Sequence, residues 1–146
     1  MKKMLFSLLL AGMGLMTQAQ EYKVITTVES IVPGGVGRSR IIAHTEKSDY
    51  TKFTTERTGS KDDERNKTKR SEAKVDGLEE TKLLNFYSMV GINFQNIASN
   101  DALISSKINA MIAEGWTLEF VVSGVESDSG KQDGDGIFIT RYIFKR

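Results

Sequence analysis

The sequence predicts an α+β fold: a small, mainly antiparallel sheet of about four or five strands with one amphipathic helix packed on one face. Three observations carry this. First, Ile104, Ile108, Met111 and Ile112 recur at i, i+4, i+7 and i+8, which places them on one face of a helix, with Ser105, Ser106 and Asn109 turned away. Second, Tyr22, Val24, Thr26 and Val28 alternate with Lys23, Ile25, Thr27 and Glu29 in a run rich in β-branched and aromatic residues. Third, the runs from Trp116 to Val122 and from Ile137 to Phe144 flank an Asp/Gly-rich connection, the pattern of a hairpin.

Residues 1–19 read as an export signal. Lys2 and Lys3 form a positive start, Leu5 to Met16 an apolar stretch shorter than the roughly 20 residues a membrane-spanning helix needs, and Thr17-Gln18-Ala19 a small-residue cleavage site. Cleavage after Ala19 leaves residues 20–146 as a single domain, expected in a periplasm or outside a bacterial cell. Loss of Lys2 and Lys3 moves the formal charge from +1 to −1. Near-neutrality gives no reason to expect a nucleic-acid partner, and no second apolar span suggests stable membrane insertion after cleavage. The chain has no cysteine, which excludes disulfides, thiol nucleophiles, thiolate metal sites and a lipid-modified cysteine.

After the first strand, Ile31-Val32-Pro33-Gly34-Gly35-Val36-Gly37 interrupts any ladder, and Arg38 to Ala43 resumes an extended pattern. The Gly-rich piece lacks the order of a phosphate-binding loop, and no helix pattern follows it. His44 to Gly77 is dense in charged and hydroxyl residues and poor in apolar ones, so it is expected as a flexible charged insertion. Tyr50 to Thr54 is a candidate short edge strand within it. Asn66-Lys67-Thr68 matches a glycosylation acceptor that matters only in a eukaryotic secretory route.

Thr81 to Phe94 fits two templates. As a strand, Leu84, Phe86, Val90, Ile92 and Phe94 share a face; as a helix, Leu83, Phe86, Tyr87 and Val90 form a stripe behind an Asp76-x-x-Glu79 capping box. The alternation continues past Gly91, which favours a strand with a bend there. Asn100 or Asp101 is then the expected N-cap of the helix, and Glu114-Gly115 its stop. Beyond it Trp116, Leu118, Phe120 and Val122 should face one way, with Trp116 at the core margin, and Thr117, Glu119 and Val121 the other.

Glu21-Tyr22-Lys23-Val24-Ile25, Ile112-Ala113-Glu114-Gly115-Trp116-Thr117-Leu118 and Tyr142-Ile143-Phe144-Lys145-Arg146 together resemble a widespread small bacterial domain of unknown function. Its pattern is Tyr-Lys-Val-Val, then a helix ending Ala-Glu-Gly-Trp-Glu-Leu, then a last strand ending Phe-Lys-Arg. The resemblance covers the two ends of the mature chain, and the segment from Ile31 to Ser99 is far longer than the family's spacer. It implies a small antiparallel sheet with one helix across a face, and no established activity.

Catalytic apparatus is not legible. His44 is the only histidine and has no evident partner for a triad or a metal. Glu114 falls at a helix end, Glu119 on an expected solvent face, and Glu126 near converging elements, without the buried neighbourhood an acid/base pair needs. Arg38, Ser39 and Arg40 form a candidate ligand-binding cluster, since arginines at i and i+2 on a strand point the same way; the rival reading is protection of a sheet edge. Asp128, Asp133 and Asp135 are candidate calcium ligands, although the EF-hand order and its bidentate glutamate are absent. No cofactor is expected. The expectation is a non-enzymatic exported module that binds a protein partner or its own copy through a sheet edge, or a small ligand on the open sheet face. The alternatives are a carboxylate/arginine enzyme and a calcium-dependent adhesion module.

Overall fold

The computed structural model describes residues 19–30, 39–55, 69–126 and 136–146. The export signal up to Gln18, the Gly-rich turn with Arg38, the centre of the charged insertion with its Asn66 sequon, and the loop with Asp128, Asp133 and Asp135 lie outside these residues. Strand β1 (Tyr22–Ser30) is followed by β2 (Arg40–His44), β3 (Leu78–Lys82), a two-rung hairpin of β4 (Tyr87–Ser88) and β5 (Gly91–Ile92), helix α1 (Phe94–Ala113), β6 (Thr117–Glu126) and β7 (Ile137–Lys145). The main sheet has the order β3-β2-β1-β7-β6, antiparallel throughout. The expected α+β architecture is therefore the observed one, with five strands and a 20-residue helix.

The hydrophobic side of the sheet follows from register. Ile25 of β1 pairs with Ala43 of β2 and with Tyr142 of β7, and Ile41 and Phe144 lie on the same side two residues along their strands. Ile25, Ile41, Ala43 and Phe144 are buried together with Leu83, Met111 and Trp116, and Ile104, Ile108, Leu118 and Tyr142 pack around them. Each such large apolar side chain withdrawn from water contributes about 1.5–3 kcal/mol. Burial pushes the Tyr142 phenol above its ordinary range. The helix lies over the β2-β1-β7 part of the sheet and reaches β3, where Lys107 donates to Glu79 at 2.9 Å.

Several expectations change on the structure. The helix begins at Phe94, not near Asn100, because Gly91 adopts φ 119° and turns the chain between β4 and β5. Asn93 then caps the helix by accepting from the Asn96 N–H at 3.1 Å. The strand expected over Thr81 to Phe94 thus splits into the end of β3, a linker, the small hairpin and the first helical residue. Glu79 lies within β3 and is no capping residue, and Tyr50–Phe53 is a single 3-10 turn capped by Asp49, not an edge strand. Ile112 is half exposed; Ile97, Asn100, Ile104, Ile108 and Met111 form the inward stripe instead.

Asn100 is fully buried in that stripe, where sequence reasoning placed a helix cap. Its Oδ1 accepts from the Leu84 N–H at 2.8 Å, and its Nδ2 donates to the Leu84 carbonyl at 2.7 Å and to Glu29 at 3.3 Å. One amide side chain therefore pairs with the linker as a neighbouring strand would, and satisfies backbone groups that burial would otherwise leave unpaired. The helix ends as expected: Gly115 takes φ 89°, its N–H bonds the Ile112 carbonyl, and the Trp116 N–H bonds that of Met111, the two bonds of a Schellman motif.

The largest departure is in β6. Its pairing with β7 slips between Leu118 and Phe120, a β-bulge at Glu119. Leu118 lies opposite Phe144 on the helix side, but Phe120 lies opposite Ile143 on the other. From the bulge onward, Phe120 and Val122 turn away from the core and Val121 takes the inward parity, the reverse of the expected alternation.

Candidate functional site

The predicted Arg38-Ser39-Arg40 cluster does not present a common surface in its described part. Ser39 is fully buried; its Oγ accepts from the Ser30 N–H at 3.0 Å and donates to Asn85 Oδ1 at 3.1 Å. Arg40 projects from the opposite side of β2, donates to the Ser39 carbonyl at 3.0 Å, and faces Glu80 on β3 at 3.6 Å. Ser39 thus joins the end of β1 to the linker, while Arg40 braces the β2–β3 edge. Among the described residues, no group of three or more His, Asp or Glu side chains is placed to hold a metal ion.

Two other regions gather exposed polar or apolar groups. At the end of the sheet where β1 begins and β7 ends, an open groove of about 550 Å³ is bordered by Glu21, Lys23, His44, Lys47, Glu79, Trp116 and Arg146. The Arg146 guanidinium sits 4.4 Å from the centre of the Trp116 ring, and Lys23 Nζ lies 5.9 Å from it. Glu21 bridges Lys47 at 2.9 Å and Arg146 at 3.0 Å, and those two cations, Lys47 foremost, hold its carboxyl below the ordinary range. His44 is exposed, its Nδ1 within 2.9 Å of the Glu46 carbonyl oxygen. A carboxylate stabilised as the anion and already paired with two cations is poorly suited to proton transfer near neutral pH. Glu114, the helix C-cap, is exposed, and Glu119 is bonded to Lys145 at 2.6 Å, so neither faces the other across a pocket.

The second region is β6 from Phe120 to Val125. Among the described residues it is the outermost strand, paired with β7 alone, so one row of its backbone N–H and C=O groups has no described strand beside it. Both of its faces are bare as well. Phe120 and Val122 are 57% and 58% exposed on the side away from the helix, and Val121 and Val125 are 53% and 61% exposed on the helix side, because α1 lies over the strands further in. No charged residue lies between Glu119 and Glu126. Beside Phe120 and Val122 the open face continues through Val24, Val28, Ile42, Ile139 and Ile143, all half-buried. A shallow hollow lies over Gly124, bounded by Val122, Ser123, Val125, Ile139 and Arg141.

Sequence reasoning named a free sheet edge in general but did not identify this one. The available signal was the uncharged run between the two glutamates; the bulge that turns it outward leaves no mark in the alternation. Searches for related family models, curated proteins and solved structures find no match for the chain.

Proposed function

We propose that the chain is an exported, non-enzymatic protein-binding module that accepts an extended, apolar polypeptide strand along the free edge of β6. The observation that carries this is the combination in one ten-residue strand of a backbone row with no strand beside it among the described residues, exposed apolar side chains on both faces, and an uncharged centre. Strand addition supplies main-chain hydrogen bonds for affinity, and alternate side chains read the partner. Export rests on the signal-like residues 1–19, and an intact mass beginning at Gln20 for protein recovered outside the cytoplasm is its check. Among the described residues no helix is long and apolar enough to cross a membrane.

The residues that resemble the small domain family converge around the Trp116 ring, where Glu21, Lys23 and Arg146 tie both chain ends to the helix stop. This supports reading that pattern as a folding signature, with function elsewhere.

The test uses a displayed library of extended decapeptides, followed by amide hydrogen exchange on the complexes. Binders are expected to slow exchange along β6 and leave β3 unchanged. Binders that protect only the Trp116 groove, or a library that yields none against protein that is monomeric at the concentration used, would overturn the assignment.

A further inference from the structure

Strand β6 is complementary to itself, and we propose that the strand it accepts is β6 of a second copy, antiparallel about a two-fold axis through Val122. The inference rests on the reading of β6 as a strand-accepting edge and names its occupant. Two sheets joined in this way, each of order β3-β2-β1-β7-β6, make one continuous sheet with β3 at both outer edges.

The register follows from parity. Residues directly opposite each other in an antiparallel pair lie on the same face of the sheet. Phe120, Val122 and Gly124 share one face of β6 and Val121, Ser123 and Val125 the other, so a symmetric pair must place one residue opposite its own copy. Three centres keep the uncharged segment in the pairing. Centring on Ser123 sets Phe120 against Glu126. Centring on Val121 sets Phe120 against Val122 and leaves Gly124 outside the uncharged pairing. Centring on Val122 sets Phe120 of each copy against Gly124 of the other, and Glu119 and Glu126 fall opposite Val125 and Leu118 at the two margins of the pairing.

That last arrangement matches a projection to a gap. Phe120 is 57% exposed, and the position a Cβ would occupy on Gly124 has nothing within 4 Å. An aromatic ring laid across a glycine of the adjoining strand covers backbone that water would otherwise reach, and the symmetry supplies the contact twice. The helix does not obstruct the approach. It packs on β6 at Leu118, before the bulge, and beyond it Val121 and Val125 on the helix side remain 53% and 61% exposed.

The chain has no cysteine, so a single introduced thiol reports the register directly. In the exported protein, Val122→Cys is expected to give an interchain disulfide on mild oxidation, because residues facing their own copy have Cα atoms about 4.5–5.5 Å apart, within disulfide range. Val121→Cys and Ser123→Cys are displaced from the axis and are expected to cross-link at least about tenfold more slowly. Sedimentation equilibrium should show a dimer for the unmodified protein. Val122→Lys, which sets two like charges face to face, should give a monomer that unfolds at the temperature the unmodified protein shows when diluted until it is monomeric. Phe120→Ala should weaken association at least about tenfold, and Glu80→Lys on the other edge should leave it unchanged. A dimer that persists in Val122→Lys, or cross-links fastest through Val121 or Ser123, overturns the inference. So does a monomer at every concentration; if displayed peptides still protect β6, strand acceptance survives, and if they do not, both readings fall.

Discussion

The two edges of the sheet are built on opposite principles. Strand β3 reads Leu78-Glu79-Glu80-Thr81-Lys82: it is five residues long, every side chain is exposed, and three of the five are charged. Strand β6 is twice as long and carries Phe120-Val121-Val122-Ser123-Gly124-Val125 without a charge. Short, charged edges resist pairing with other chains because a charge would have to be desolvated against the incoming strand; long apolar ones invite it. Arg40 and Glu80 reinforce the first edge, and Lys107 holds Glu79 from the helix. The contrast teaches that this domain tolerates exposed backbone at one edge while guarding the other.

Erasing the contrast should have the largest effect. Replacing Glu79, Glu80 and Lys82 with Val, Thr and Val gives each copy two accepting edges, so a closed pair should become an open chain of sheets. Light scattering is expected to show particles at least about ten times the radius of the unmodified protein; unchanged size would break the comparison.

Next come substitutions that separate the covered part of the molecule from the bare strand. Met111 is 1% exposed, and Met111→Ala should lower unfolding free energy by about 2–5 kcal/mol in a urea titration. Val121→Ala, on the bare strand, should move it by no more than about 0.5 kcal/mol in the monomer. Asn100→Leu keeps a similar volume but leaves the Leu84 N–H and carbonyl without their partner, and a loss of about 2–4 kcal/mol is expected.

Acid should act more gently, and on the guarded half first. Hydrogen bonds from Lys107 to Glu79, and from Lys47 and Arg146 to Glu21, hold both carboxyls below their ordinary value of 4.5. A depressed folded-state pKa stabilises the fold above the unfolded value, and that contribution disappears as pH falls through the folded one. Stability should therefore be flat above pH 4.5 and decline below it, followed through the fluorescence of Trp116, the only tryptophan. The smallest effect belongs to Lys107→Ala, a few tenths of a kcal/mol for one partly exposed pair, shrinking further in high salt.

The sequence was legible where one local rule decides the outcome. Gly115 stopped the helix because only a left-handed residue closes a Schellman motif, and β1 and β7 alternated as strands buried on one side must. It was opaque where tertiary partners override local pattern. The residues from Leu83 to Phe94 alternate like a strand, yet the backbone of Leu83, Leu84 and Asn85 bonds to Ser39, Asn100 and Asn96, which no local pattern reveals. Asn100 resembled a cap because asparagine usually is one there; it is instead a buried bracket between helix and linker. Of the candidate site, the bonds of Ser39 to Ser30 and Asn85 and the approach of Arg40 to Glu80 have no local signature, and β6 was visible as a strand but not as an edge exposed on both faces.

The bulge at Glu119 has a genetic consequence. It is a single surplus residue: Leu118 and Phe120, on either side of it, lie opposite the consecutive residues Phe144 and Ile143. Loss of that one in-frame codon would make the ladder regular, with Leu118 still opposite Phe144 and Phe120 still opposite Ile143, so Phe120 and Val122 would keep their present side. The surface offered to a partner is thus proof against that one small step, and the sheet beneath it keeps its order.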